Sequence, residues 1–151
     1  MLVLLASGGA VAWWADRQAT TRREQLARNT DALAELVGQC EVALRENDAD
    51  RAAAALEQID RRLPEGGGEA MTDQADRCRS DLALLRDLDA IDTFRWTPIE
   101  SKPPKLSAGV ARWRTAFAGY GVAPGDTPVD EAADRVRGSL VRDRLLAALD
   151  L

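Results

Sequence analysis

Between Gln18 and Glu46 the chain carries no proline, and Leu26, Leu33, Val37, Cys40 and Leu44 recur at intervals of seven, four, three and four. An α-helix turns once every 3.6 residues, so these intervals place all five on one face. A long helix with one apolar stripe is stable only when other elements cover that stripe. This one segment therefore commits the chain to helix-on-helix packing, and the residues downstream repeat the pattern in shorter pieces. Asn47-Asp48 breaks the first helix, and Asp48 or Asp50 can cap the next by accepting backbone N–H bonds. Ala52, Ala55, Leu56, Ile59 and Leu63 make a second stripe, with alanines small enough for close approach. So short a link between two helices predicts an antiparallel hairpin. Pro64 ends the second helix, and Glu65-Gly66-Gly67-Gly68 reads as a flexible loop.

The third helix is expected from Thr72, as N-cap, to about Phe94, with Cys78, Leu82, Leu85, Leu88 and Ile91 as its stripe. Residues 18–95 thus read as an antiparallel three-helix bundle. Residues 96–107 form a linker in which Pro98, Pro103 and Pro104 enforce irregular backbone. Phe94 and Trp96, just before these prolines, are expected to close one end of the core. Residues 108–151 read as a helical subdomain packed on the bundle. Its first helix carries Val110, Trp113, Phe117 and Tyr120 on one face, and Gly119 and Gly121 end it. Thr127-Pro128 opens the next, with Thr127 as N-cap and Pro128 at the first helical position. Gly138-Ser139 divides it from a last helix with Leu140, Val141, Leu145 and Leu149. Residues that favour strands are sparse and helix formers dominate, so the expected class is all-α with an antiparallel helical bundle. With 46% hydrophobic and 30% charged residues the chain can build a core and is not a disordered polymer.

Residues 1–17 stand apart. Leu2 to Ala15 reads LVLLASGGAVAWWA without a charge, and Asp16, Arg17, Arg22 and Arg23 follow. An apolar run, an aromatic pair and then arginines is the order found where a membrane helix meets the headgroups. Trp13, Trp14 and Arg17 are the expected interface residues. Fourteen helical residues cover about 21 Å, short of a hydrocarbon core of about 30 Å. The run is therefore read as part of a transmembrane helix. A signal peptide and a buried or interfacial helix are the alternatives, although no basic region precedes the run and no clean small-residue cleavage site follows it. The arginine count alone would put the remainder in the cytoplasm.

The residues that usually perform chemistry are missing. There is no histidine, which removes the commonest general base and zinc ligand. Cys40 and Cys78 form no CxxC pattern, and both fall on apolar stripes. They read as buried thiols, as a disulfide between neighbouring helices if the compartment is oxidising, or as part of a metal site. Gly66-Gly67-Gly68 lacks the preceding strand and the following Lys-Ser/Thr of a phosphate loop. The carboxylate pairs Glu65/Glu69 and Asp130/Glu131 have nothing to gather them into one pocket. No catalytic, cofactor or metal residue is expected, and no small-molecule cofactor is evident. A net charge of −5 disfavours nucleic acid. The aromatic stripe Trp113, Phe117 and Tyr120 is core by base rate, and it is also the best local candidate for a protein-partner surface.

The hairpin from Leu33 to Leu63 resembles one tetratricopeptide unit in length and in its use of small residues, without that repeat's Trp, Leu-Gly and Tyr positions. The order of features is broader in its likeness. Trp13-Trp14-Ala15-Asp16-Arg17-Gln18 and Arg22-Arg23 follow the apolar run. Later come Phe117-Ala118-Gly119-Tyr120-Gly121-Val122, Asp130-Glu131-Ala132-Ala133 and Val141-Arg142-Asp143-Arg144-Leu145-Leu146-Ala147-Ala148-Leu149-Asp150. This resembles the transmembrane and juxtamembrane helical region behind the kinase domain of planctomycete-type bacterial membrane-anchored serine/threonine protein kinases. The resemblance covers nearly the whole chain, and only the non-catalytic part of that architecture. No kinase Gly-rich loop, catalytic-loop Asp or metal-binding Asp occurs here, so no catalytic residue carries over. It implies a single-pass anchor, an extracytoplasmic helical part and a sensor, spacer or protein-interaction role. A soluble helical scaffold, or an enzyme relying on carboxylates, would be the other readings.

Overall fold

The computed structural model describes residues 6–97 and 106–149, with side chains described over 17–97 and 107–148. Every regular element among them is helical, as composition and periodicity predict. In order they are α1 (Ala6–Arg45), α2 (Ala49–Arg62), α3 (Thr72–Trp96), α4 (Leu106–Tyr120), α5 (Val129–Gly138) and α6 (Arg142–Leu149). Two single 3-10 turns, Leu63–Glu65 and Glu69–Met71, lie between α2 and α3. Most of the proline-rich linker, residues 98–105, lies outside the described residues.

Helix α1 starts well before Gln18 and runs unbroken for 40 residues, roughly 60 Å at 1.5 Å per residue. The part of the apolar run from Ala6 onward and the stripe from Leu33 to Leu44 therefore lie on one rod. Leu2 to Leu5 of the expected partial membrane span lie outside the described residues, and no helix among the described ones is long and apolar enough to cross a membrane. The physical reason is visible in the sequence of α1, where Asp16, Arg17, Arg22, Arg23 and Glu24 end the apolar stretch early. The side chains of Trp13 and Trp14 lie outside the described residues.

Two residues turn the chain back. Asn47 adopts the left-handed conformation (φ 58°). Its N–H bonds the Leu44 carbonyl at 3.0 Å, and the Asp48 N–H bonds Ala43 at 2.9 Å. Both carbonyls would otherwise be left open at the end of α1. The Asp48 carboxylate then accepts from the Arg51 N–H at 2.9 Å and caps α2, as the sequence predicts. Cys40 lies against the Ala52 carbonyl, and Asn29 reaches Arg62 and Gly66, so partners move apart in both directions from the turn. That is an antiparallel pair.

The glycine loop is not the flexible segment expected. Asn29 Nδ2 donates to the Arg62 and Gly66 carbonyls at 3.2 and 2.7 Å, and Thr30 Oγ1 donates to Gly67 at 2.8 Å. Gly67 sits at φ +77°, where a Cβ would stand 2.6 Å from Thr30 Oγ1 and 2.9 Å from the Leu26 carbonyl oxygen. Glycine is needed there because α1 leaves no room for a side chain. Thr72 begins α3 without capping it; Met71 holds the cap position and makes no side-chain cap bond.

Helix α3 is central. It buries Ala75, Cys78, Asp81, Leu82, Leu84, Leu85, Leu88 and Ile91, and it packs against α1 and α2 as well as α4 and α6. One apolar cluster runs from Leu33 and Leu44 through Ile59 and Leu88 to Phe117 and Leu145. Outliers from the expected stripes are Leu26, 38% exposed, and Val110, 52% exposed. Helix α5 buries no residue. Its predicted cap is displaced by one position: Pro128 precedes the first turn, while Thr127 Oγ1 accepts from the Ala123 N–H at 3.0 Å and ties down the loop instead.

Candidate functional site

The most concentrated polar chemistry lies inside the core. Asp81 stands one turn after Cys78 on α3 and is fully buried. A carboxylate removed from water needs hydrogen-bond donors to offset the lost hydration. Three converge on it. Its Oδ1 accepts from the Tyr120 hydroxyl at 2.5 Å and the Ser139 hydroxyl at 2.8 Å, and its Oδ2 accepts from the Leu140 N–H at 3.0 Å. Ser139 Oγ in turn accepts from the Val141 N–H at 3.3 Å. The Leu140 and Val141 amides lie just ahead of α6, where helix N–H groups lack intrahelical partners, so an acidic group is well placed there.

Local structure brings each partner to Asp81. Tyr120 is the last residue of α4. Beyond it the Gly121 N–H bonds Ala118 at 3.0 Å and the Val122 N–H bonds Phe117 at 2.8 Å, closing the helix end with Gly121 at φ +77°. Arg135 of α5 donates to the Tyr120 carbonyl at 3.2 Å. Ser139 is delivered by the break between α5 and α6. Burial, together with the hydrogen bond to Asp81, holds the Tyr120 hydroxyl well above its ordinary pKa, so it stays protonated and donating. The network ties α3, the end of α4 and the start of α6 together. With Tyr120 and Ser139 each only 8% exposed, its members face one another rather than solvent. Arg144 adds a surface link, pairing α6 with Asp89 at 3.2 Å and with Asp92.

The aromatic stripe, read both as core and as a candidate partner surface, lies on the inward face of α4. Phe117 and Tyr120 are buried, and Trp113 is half-buried with its ring stacked 5.4 Å from that of Phe117. Spacing of three and four places residues on one helix face, and α4 presents that face to α3. Phe94 is half-buried beneath the Arg112 guanidinium, 4.2 Å above its ring, whereas Trp96 is 82% exposed and closes no core. Arg17 is exposed on α1, and its carbonyl accepts from the Thr21 hydroxyl at 3.0 Å. Glu65, Glu69, Asp130 and Glu131 are all exposed.

Sequence reasoning missed Asp81 and Ser139. A signal was present for the first: Asp81 falls three residues after Cys78 and four before Leu85, which puts an acid on the apolar stripe of α3. Ser139 is an ordinary residue after a helix-ending glycine, and nothing local marks it. Comparison with protein-family models, curated proteins and solved structures gives no match.

Proposed function

We propose that this chain is a non-catalytic helical module of a membrane-anchored signalling protein of the serine/threonine kinase type, held to the membrane by its apolar N-terminal run. In this reading α1, α2 and α3 form an antiparallel bundle whose first hairpin resembles a tetratricopeptide unit. The module acts as a sensor, a spacer or a docking element for a protein partner. The observation that carries the reading is the continuity of α1 from Ala6 to Arg45. Its N-terminal part is apolar up to Ala15, and its C-terminal part supplies Leu33, Val37, Cys40 and Leu44 to the core. A tilt, rotation or shift of the core is thereby passed along one rod to the residues at the membrane, with no hinge to absorb it. Asp16, Arg17, Arg22 and Arg23 at the end of the apolar run, after Trp13 and Trp14, suit the headgroup region.

Carbonate extraction of the full chain and of a variant lacking residues 1–17 tests the tether, and it registers crossing and interfacial insertion alike. The full chain should stay with membranes, and the shortened one should be soluble and helical by circular dichroism. A full chain that leaves the membrane with carbonate, or a shortened one that loses its fold, would make the run part of the packed structure and remove the proposal's main support.

A further inference from the structure

We infer that Cys40 and Cys78 form a dithiol–disulfide site able to join α1 covalently to α3. They are the only two cysteines of the chain, and both are fully buried. They stand 38 positions apart in sequence, in one core cluster, on α1 and α3, which pack together. Gly68, just ahead of α3, lies against Leu33, and two helical turns further along each helix bring the chain to Cys40 and to Cys78. The Cys40 thiol donates to the Ala52 carbonyl at 3.7 Å. A disulfide asks for Cα atoms about 4.4–6.8 Å apart, which small shifts of two packed helices can supply at this level. The inference does not depend on the membrane reading.

The oxidant is a small-molecule disulfide such as oxidised glutathione. One protein thiolate attacks a sulfur of that disulfide, forms a mixed disulfide and expels one glutathione thiolate. The second protein thiolate attacks the protein-side sulfur of the mixed disulfide and expels the other. Two protein thiols lose two protons and two electrons, and one glutathione disulfide becomes two glutathione thiols. The hydrogen bond to Cys40, followed by burial, pushes the Cys78 thiol far above its ordinary range. Neither sulfur is reachable in the closed fold, so exchange occurs during folding or through opening of the α1–α3 contact. Asp81 lies one turn beyond Cys78, so the cross-link would attach α1 to the helix that anchors α4 and α6.

The test is to unfold the full chain, refold it in a glutathione redox buffer, alkylate it in denaturant and weigh it without reduction. The site predicts a monomer lighter by two hydrogens, with no alkylated cysteine, that melts at a higher temperature than the reduced protein. Closing a loop of this length should lower the unfolding equilibrium constant by roughly a hundred- to a thousandfold in the chain-entropy account. The gain should vanish with dithiothreitol, and Cys40→Ala should melt identically with and without it. Two alkylatable thiols, a retained glutathione, disulfide-linked dimers or an oxidised monomer that melts lower would each overturn the inference. The mass of the unsubstituted chain decides the matter even if the variant fails to fold.

Discussion

Replacing Asp81 by alanine removes the shared acceptor of three buried donors, and the cost can be worked from the geometry. The Tyr120 and Ser139 hydroxyls can rotate, and Ser139 keeps its bond from Val141. The Leu140 N–H is fixed by the backbone and loses its Oδ2 partner outright. Each buried donor left without a partner costs about 1–3 kcal/mol. Relief of the buried charge works in the other direction, because an ion in the interior is itself unfavourable. A net loss of about 3–5 kcal/mol follows, a large part of the roughly 5–15 kcal/mol that holds a typical domain together. Asp81→Asn keeps one acceptor oxygen and should lose about 1–3 kcal/mol. Tyr120→Phe in the native background removes a bond to a charged group and should cost about 1.5–3 kcal/mol. In the Asp81→Ala background it only deletes an orphaned hydroxyl and should cost close to nothing, so the pair should couple by about 1.5–3 kcal/mol. Urea denaturation followed by far-ultraviolet circular dichroism measures all four corners of the cycle. An Asp81→Ala loss below about 0.5 kcal/mol, or strict additivity, would refute the claim that this carboxylate organises α3, α4 and α6.

Tyr120 also sets a pH dependence. Its pKa in the fold lies above the value of about 10 in the unfolded chain, so above pH 10 the unfolded state releases a proton that the folded state keeps. Stability should be full below that pH and fall above it by at most about 1.4 kcal/mol per unit, and Tyr120→Phe should flatten that part of a thermal-melt profile. Gly67→Ala should destabilise by about 1–3 kcal/mol, through the positive φ and the contact with Thr30. Gly38→Ala should instead stabilise by about 0.5–1 kcal/mol, since Gly38 lies inside α1 with open space around its Cα; differential scanning calorimetry should show the two melting temperatures moving in opposite directions. Asp48→Ala should cost about 1 kcal/mol, the usual value of an N-cap, in the same urea assay.

Several features could be read from the residues because local rules determine them. The stripe from Leu33 to Leu44 made α1 a helix whatever covered it. Asn47-Asp48 ended that helix and capped the next because one residue tolerates left-handed backbone and the other offers a carboxylate to free N–H groups. The helical class followed from the same periodicity, repeated in α2, α3 and α4. Other features depended on what lay opposite in space. Trp113, Phe117 and Tyr120 shared a face by spacing alone, but only the packing of α4 on α3 turned that face inward. Gly66-Gly67-Gly68 reads as a free loop until Asn29 and Thr30 of α1 come within hydrogen-bonding reach of it. Asp81 meets Tyr120 and Ser139 across 39 and 58 positions of chain. Sequence by itself determined which segments are helices and where they stop, because capping and periodicity act over a few residues. The tertiary structure alone decided which polar groups are buried together, because that depends on how the helices pack, and packing is a property of surfaces far apart along the chain.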